Sequence, residues 1–257
     1  VAWHPVRGAV AAWSGADGPR RRVWWSALAV AGDRLEPAAP QPVDPAPPAD
    51  DQLFPTLAAP DQGFALAWED RRHGHTVIYG AHSGDGRSWS APARISGNPT
   101  GKAQGGLGRG TGAMRPSLAA FGTRLAAAWL DKRDFLSGYD VYAAPSEDGG
   151  ARYARDAKVQ DSFGDAMAQW HAAAAGNRRG DLAIAFDDER DGTADIWLAR
   201  LAASGWSENF TLPAASGPGR QSDPAIALDE AGGLHLAWID RDEAGRSRLR
   251  YTVTPPR

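Results

Sequence analysis

A run of small apolar residues ending in an aromatic ring and a charged turn recurs five times along the chain. The rings are Trp13, Trp68, Trp129, Phe186 and Trp238, spaced 55, 61, 57 and 52 residues apart. Self-similarity at such a period restricts the chain to a repeat architecture, in which each copy is one supersecondary unit packed on its neighbours. VAWHPVRGAVAAW (1–13) aligns without a gap on TLAAPDQGFALAW (56–68). The later copies read SLAAFGTRLAAAW (117–129), HAAAAGNRRGDLAIAF (171–186) and AIALDEAGGLHLAW (225–238). A third apolar run follows each turn and aligns on Trp25, Tyr79, Tyr142, Trp197 and Tyr251. A fourth, present in four copies, is anchored by Leu35, Trp89, Tyr153 and Trp206.

These runs are short, rich in aromatic and β-branched residues and alanine, and bounded by Gly, Asp and Pro, which predicts strands. Four short strands in roughly 50 residues make one blade of a β-propeller. The alanine-rich first run suits the innermost strand, where blades converge. The predicted fold is therefore all-β, a five-bladed β-propeller of four-stranded antiparallel blades. The repeats fall at about 1–50, 51–111, 112–166, 167–219 and 220–257 of a single domain. The last copy ends after its third strand. A strand from before Val1 would close the ring; a six-bladed ring is the alternative.

Net charge is −3 with the signs interspersed, and no basic stripe points to nucleic acid. No segment has the apolar length of a membrane span. There is no cysteine, which excludes a disulfide framework. The chain begins with Val, and its Ala/Gly/Pro/Arg bias reads as bacterial. A periplasmic or extracellular location with a removed or cropped signal peptide is expected.

Two turns before a fourth strand carry the pattern Ser-x-Asp-x-Gly-x-x-aromatic. SEDGGARY (146–153) fits every position, and SGDGRSW (83–89) is one residue short. Asp accepts turn N–H groups, Gly supplies a positive φ, and the ring plugs the gap beside the next sheet. The chain thereby resembles the sialidase-like, Asp-box (BNR-repeat) propellers over nearly its whole length. The resemblance implies structural roles for Asp85 and Asp148, and a glycan-directed function. It also implies a catalytic Tyr with a Glu partner, an Asp acid/base and an Arg cluster. Only Tyr139 among the tyrosines stands off a repeat position, with Asp134 and Asp140 beside it and Glu69 and Glu189 in neighbouring turns. The family's Phe-Arg-Ile-Pro motif is not found.

A second motif, aromatic-x-Asp-x-Arg, gives Asp70/Arg72, Asp131/Arg133 and Asp188/Arg190; the fifth copy keeps Asp240 but has Asp242 for the arginine. These turns are either ligand-facing charges or braces within each blade. Repetition favours bracing, because a recognition site must differ between copies. Departures from the repeat point elsewhere. One is the glycine-rich connection 96–116, with Lys102, Arg109 and Arg115. The other is 161–171, where Trp170 and His171 stand in place of Phe54-Pro55, Arg115-Pro116 and Asp223-Pro224. Phe54, Arg115, Trp170 and Asp223 are expected at the channel mouth, with His171 beside them.

The histidine pair His73 and His75 lacks a third ligand, so no metal is expected; calcium in an acidic turn is the one open cofactor. The leading expectation is a non-catalytic binding module for a glycan or protein surface. The alternative is an exo-acting glycoside hydrolase using Asp70, Asp131, Asp188 or Asp240.

Overall fold

The structure is a computed structural model that describes residues 1–98, 112–133, 138–162 and 168–255. Among these residues there is no α-helix, and the chain forms five antiparallel sheets in sequence order. This is a β-propeller, and the five sheets fit five blades. Blade one contains Ala2–His4, Gly8–Asp17, Arg20–Ala31 and Arg34–Pro37, with Gln41–Pro42 added to its third strand. Blade two runs Gln52–Ala58, Phe64–Asp70, Val77–Ser83 and Ala93–Arg94; blade three runs Ala113–Phe121, Arg124–Asp131, Asp140–Ser146 and Ala157–Lys158. Blade four has Gln169–Gly176, Leu182–Asp188 and Asp195–Ala202, edged by Gly205–Trp206 and Phe210–Thr211. Blade five has three strands, Arg220–Leu228, Leu234–Arg241 and Ser247–Val253.

Successive inner strands pack on one another from blade one to blade five. Their small residues allow this approach, and hydroxyls stitch it. Ser117 Oγ accepts the Ala174 N–H at 3.0 Å, and Thr56 Oγ1 accepts that of Leu118 at 3.4 Å. The second strands of blades two and four are buried on both faces, at Phe64–Asp70 and Leu182–Asp188, which is why they read as near-continuous apolar runs. Between blades two and three, Ala65, Ala67 and Ile78 pack on Leu118, Leu125 and Trp129.

The fourth strands are shorter than the sequence suggests, only two residues long in blades two and three. Trp89 and Tyr153 lie outside them and act as plugs. Trp89 meets Trp25 at 5.9 Å, and Tyr153 packs on the core between blades two and three. The third strand of blade one is also offset from the sequence alignment. Trp24, not Trp25, lies opposite Trp13, as Tyr79 lies opposite Trp68. Two adjacent tryptophans made the one-residue offset invisible in sequence. Trp24 therefore occupies the ring position of its blade. In blade five the same position is Arg250, opposite Trp238, and Tyr251 is one residue beyond.

The repeat rings Trp68, Trp129, Phe186 and Trp238 are buried, whereas Trp13 is 37% exposed. Leu249, Tyr251 and Val253 on the last strand are exposed too. The outer flanks of the first and last blades therefore meet solvent.

Candidate functional site

Each inner strand from blade two to blade five carries a bulge at the same place. The ladder skips residues 54–55, 115–116, 171–172 and 223–224. The first residue of each bulge has a left-handed backbone: φ is 48° at Phe54, 53° at Arg115, 52° at His171 and 56° at Asp223. Among the described residues no other non-glycine has a positive φ. An L-residue there costs about 1–2 kcal/mol. Three of the four also precede proline, which normally holds its predecessor extended. Pro55, Pro116 and Pro224 carry no N–H, so the bulge leaves no donor stranded at the second position.

The four bulges meet around one cavity of about 670 Å³, with Met114, Leu130 and Trp170 also on its wall. Sequence reading put Trp170 at the channel-facing position; His171 occupies it instead. Trp170 is a regular ladder residue opposite Asp187, and its ring packs on Tyr139 at 4.9 Å. The fourth copy has Ala172 where the others have proline, which removed the marker that fixes the offset.

Beneath the bulges lie two buried carboxylates. Glu69, Leu130, Asp187 and Ile239 stand opposite the residues that precede the bulges. Glu69 Oε1 accepts the Arg115 backbone N–H at 2.7 Å and so pins the strained residue. Burial pushes the Glu69 carboxyl up, against the opposing pull of that hydrogen bond and of Arg71 and Arg115. Asp187 Oδ1 lies 2.8 Å from His171 Nδ1, and Asp223 Oδ1 lies 3.3 Å from Nε2. The hydrogen bond to Asp187 raises the His171 pKa, and the charge of Asp223 adds to it, while burial and Arg115 oppose. Both buried carboxylates occupy the variable letter of aromatic-x-Asp-x-Arg. Its alternation of acid and apolar residue (Glu, Leu, Asp, Ile) was the available signal.

The guanidinium of Arg115 lies 3.8 Å from the Phe54 ring centroid. Among the described residues no carboxylate pairs with it. Asp223, by contrast, also accepts the Ser222 hydroxyl at 2.8 Å.

The Asp-x-Arg turns lie at the same end of the blades, because Asp70 pairs with Gln52 and Asp131 with Ala113. Their charges are used within the fold. Arg72 bonds Asp70 at 2.7 Å and Asp44 at 3.0 Å, and stacks on Tyr79. Arg133 joins Asp131 and Asp156 and stacks on Tyr142. Arg190 joins Asp188 and Asp161 and stacks on Trp197. The Trp68 and Trp129 indoles donate to Asp70 and Asp131. In blade five the cation comes from the third strand, where Arg250 Nε donates to Asp240 at 3.0 Å. The ion pairs support the bracing reading of these turns.

Tyr139 is half-buried; burial raises its pKa, and the charges of Glu69 and Asp131 add to the rise. Glu189 instead reaches Arg220 at 2.6 Å. His73 bonds the Tyr79 hydroxyl at 2.8 Å, and among the described residues no three His, Cys, Asp or Glu gather to hold a metal. Among the described residues no helix is long and apolar enough to cross a membrane. Lys102, Arg109 and Asp134 lie outside the described residues.

No family model and no curated protein matches the chain. Its likenesses are to solved propeller structures. An α-L-arabinanase from Penicillium chrysogenum, complexed with arabinobiose, is 14% identical with a TM-score of 0.59, over 94% of this chain and 76% of that one. A Trypanosoma rangeli sialidase in complex with the inhibitor DANA is 13% identical with a TM-score of 0.53, over 78% of this chain and 36% of that one. An α-L-arabinofuranosidase from Fusarium graminearum is 12% identical with a TM-score of 0.51, over 91% of this chain and 72% of that one. At such identities the likeness establishes the fold alone, a β-propeller. The chain spans little more than a third of the sialidase.

Proposed function

We propose that this propeller is an exported, non-catalytic module that binds a glycan in the cavity between the four bulges. One observation carries the reading. The four left-handed non-glycine residues sit at one repeat position, differ in chemistry from blade to blade, and line one cavity. A repeat needs only one solution for its turns; four side chains held at a conformational cost indicate a use for each. The cavity volume is of the size that holds one or two sugar residues. Arabinobiose and DANA in the structural neighbours give the glycan reading its chemical direction. The test is a glycan array probed with the wild-type protein and with Arg115→Ala and His171→Ala. Hits that both variants lose support the site; hits that both keep would sink it.

Glu69 favours a second reading, an exo-acting glycoside hydrolase. It is a buried carboxyl with a raised pKa, beneath the cavity and near Tyr139, as a proton donor should be. The carboxylates of the Asp-x-Arg turns suit that role poorly, because guanidinium groups already hold them. Turnover of chromogenic arabinofuranosides or sialosides that Glu69→Gln abolishes would replace the binding-module reading. Export is tested by fractionating the source cells with an antiserum.

A further inference from the structure

We infer that a further antiparallel sheet of the same polypeptide, from outside residues 1–257, packs between blade five and blade one. The four interfaces between successive blades share one construction. An aliphatic residue of one blade's third strand shares a core with the second-strand aromatic ring of the next: Val23 with Trp68, Ile78 with Trp129, Val141 with Phe186 and Ile196 with Trp238. All four aliphatic residues are fully buried. Leu249 holds the same position in blade five, opposite Ile239 as Ile78 is opposite Glu69, yet it is 76% exposed. Tyr251 and Val253 alternate onto the same face and are exposed with it. On the other flank, Trp13 offers the ring that each later blade buries, and it remains partly exposed. Trp3, opposite Ala9 and so on the Trp13 face, is 64% exposed.

Both outer faces therefore have the character of a blade interface. Terminal units of a repeat array need polar outer faces for solubility; those of blades one and five are apolar. Backbone edges lie open at the same flanks. Among the described residues, Ala11–Asp17 of the second strand in blade one has no inner-strand partner, and the third strand of blade five has no fourth strand beside it.

The chemistry of the occupant follows from its two walls. Against Leu249 it presents an aromatic ring, as Trp129 does against Ile78. Against Trp13 it presents aliphatic side chains, as Val10 and Val23 do against Trp68. A single sheet with two free apolar faces does both. A second copy of residues 1–257 has no such sheet, because its blade one is covered on one face by blade two and its blade five by blade four. A sheet on the same polypeptide reaches both walls at high effective concentration. The cavity between the bulges is lined by blades two to five alone, and the inner strand of the added sheet closes its remaining side. Ligand affinity then depends on that sheet, a consequence that rests on the reading of the cavity as the glycan site; the packing itself does not.

The experiment is hydrogen–deuterium exchange on residues 1–257 alone and on the longer product of the same reading frame, purified from source cells. Amides of Ala11–Asp17 and Ser247–Val253 are expected to exchange at least about tenfold more slowly in the longer product. Leu249→Lys should lower the Tm of the longer product by more than about 2 °C and leave that of residues 1–257 within about 1 °C. If the variant does not accumulate, the exchange comparison on the wild-type chains decides. Equal exchange in the two chains would overturn the inference, as would a reading frame with no further sheet to encode. Protection in residues 1–257 alone would overturn it too, through closure of the five blades on themselves if independent of concentration, or through a second copy if it rises with concentration and the mass doubles. None of these results bears on the glycan array, so the binding-module reading stands or falls separately.

Discussion

Glycine and alanine exchanged at the bulges separate backbone strain from side-chain loss. Alanine at position 115 or 171 keeps the left-handed penalty of about 1–2 kcal/mol that glycine avoids. Glycine surrenders about 0.5–1 kcal/mol more chain entropy on folding than alanine. The difference leaves the glycine variants more stable than the alanine variants by about 1 kcal/mol, or about 2–4 °C in Tm for a domain of this size. Both variants lose the side chain and keep the backbone N–H that Glu69 accepts, so the comparison isolates φ. Ala119 on the same inner strand is the control; it has no positive φ, and glycine there should cost about 0.5–1 kcal/mol. Urea denaturation followed by far-UV circular dichroism measures each pair. Arg115→Gly less stable than Arg115→Ala, with the same order at His171, would refute the claim that these residues are held against their preference. The glycine variants should bind no ligand, and that is the expected trade of stability against function.

Further outcomes follow from the charges. Asp131→Ala leaves the buried Trp129 indole without its acceptor and Arg133 with Asp156 alone, and should destabilise by about 1–3 kcal/mol in chemical denaturation. Asp240→Ala should cost far less, because its partner Arg250 is half exposed. Glu69 has a raised pKa, so its contribution is complete below about pH 4.3 and is lost as pH rises through the folded pKa. Glu69→Gln keeps the acceptor for Arg115 and should remove that decline in Tm measured from pH 4 upward. His171 is raised by its carboxylate partners, so its stabilisation is present below about pH 6.5 and fades above. His171→Gln should flatten that part of the Tm profile; an unchanged slope contradicts the Asp187–His171–Asp223 bridge.

The blades were legible because aromatic rings and alanine runs recur at a period that only stacked sheets satisfy. The end of the blades where the bulges gather was legible too, from the Xaa-Pro steps at Phe54, Arg115 and Asp223. Offsets of one residue were not. Trp24 and Trp25 are chemically alike, and the fourth bulge has Ala172 instead of proline, so no residue type fixed the alignment. Register decides which face a side chain takes, and that misplacement exchanged His171 for Trp170. The place of Glu69 and Asp187 beneath the bulges was hidden for a different reason. They occupy the position of the turn motif that varies, and their role depends on a neighbour about 46 or 16 residues away. Arg250 illustrates the same limit: it replaces the turn arginine from another strand, which pairing reveals and spacing does not.

The most direct measurement is a crystal structure of the protein soaked with an oligosaccharide that it binds on the array. The account predicts electron density for a sugar between Phe54, Arg115, His171 and Asp223. Density on the exposed flank at Trp13 or Tyr251, with the cavity between the bulges empty, would contradict it.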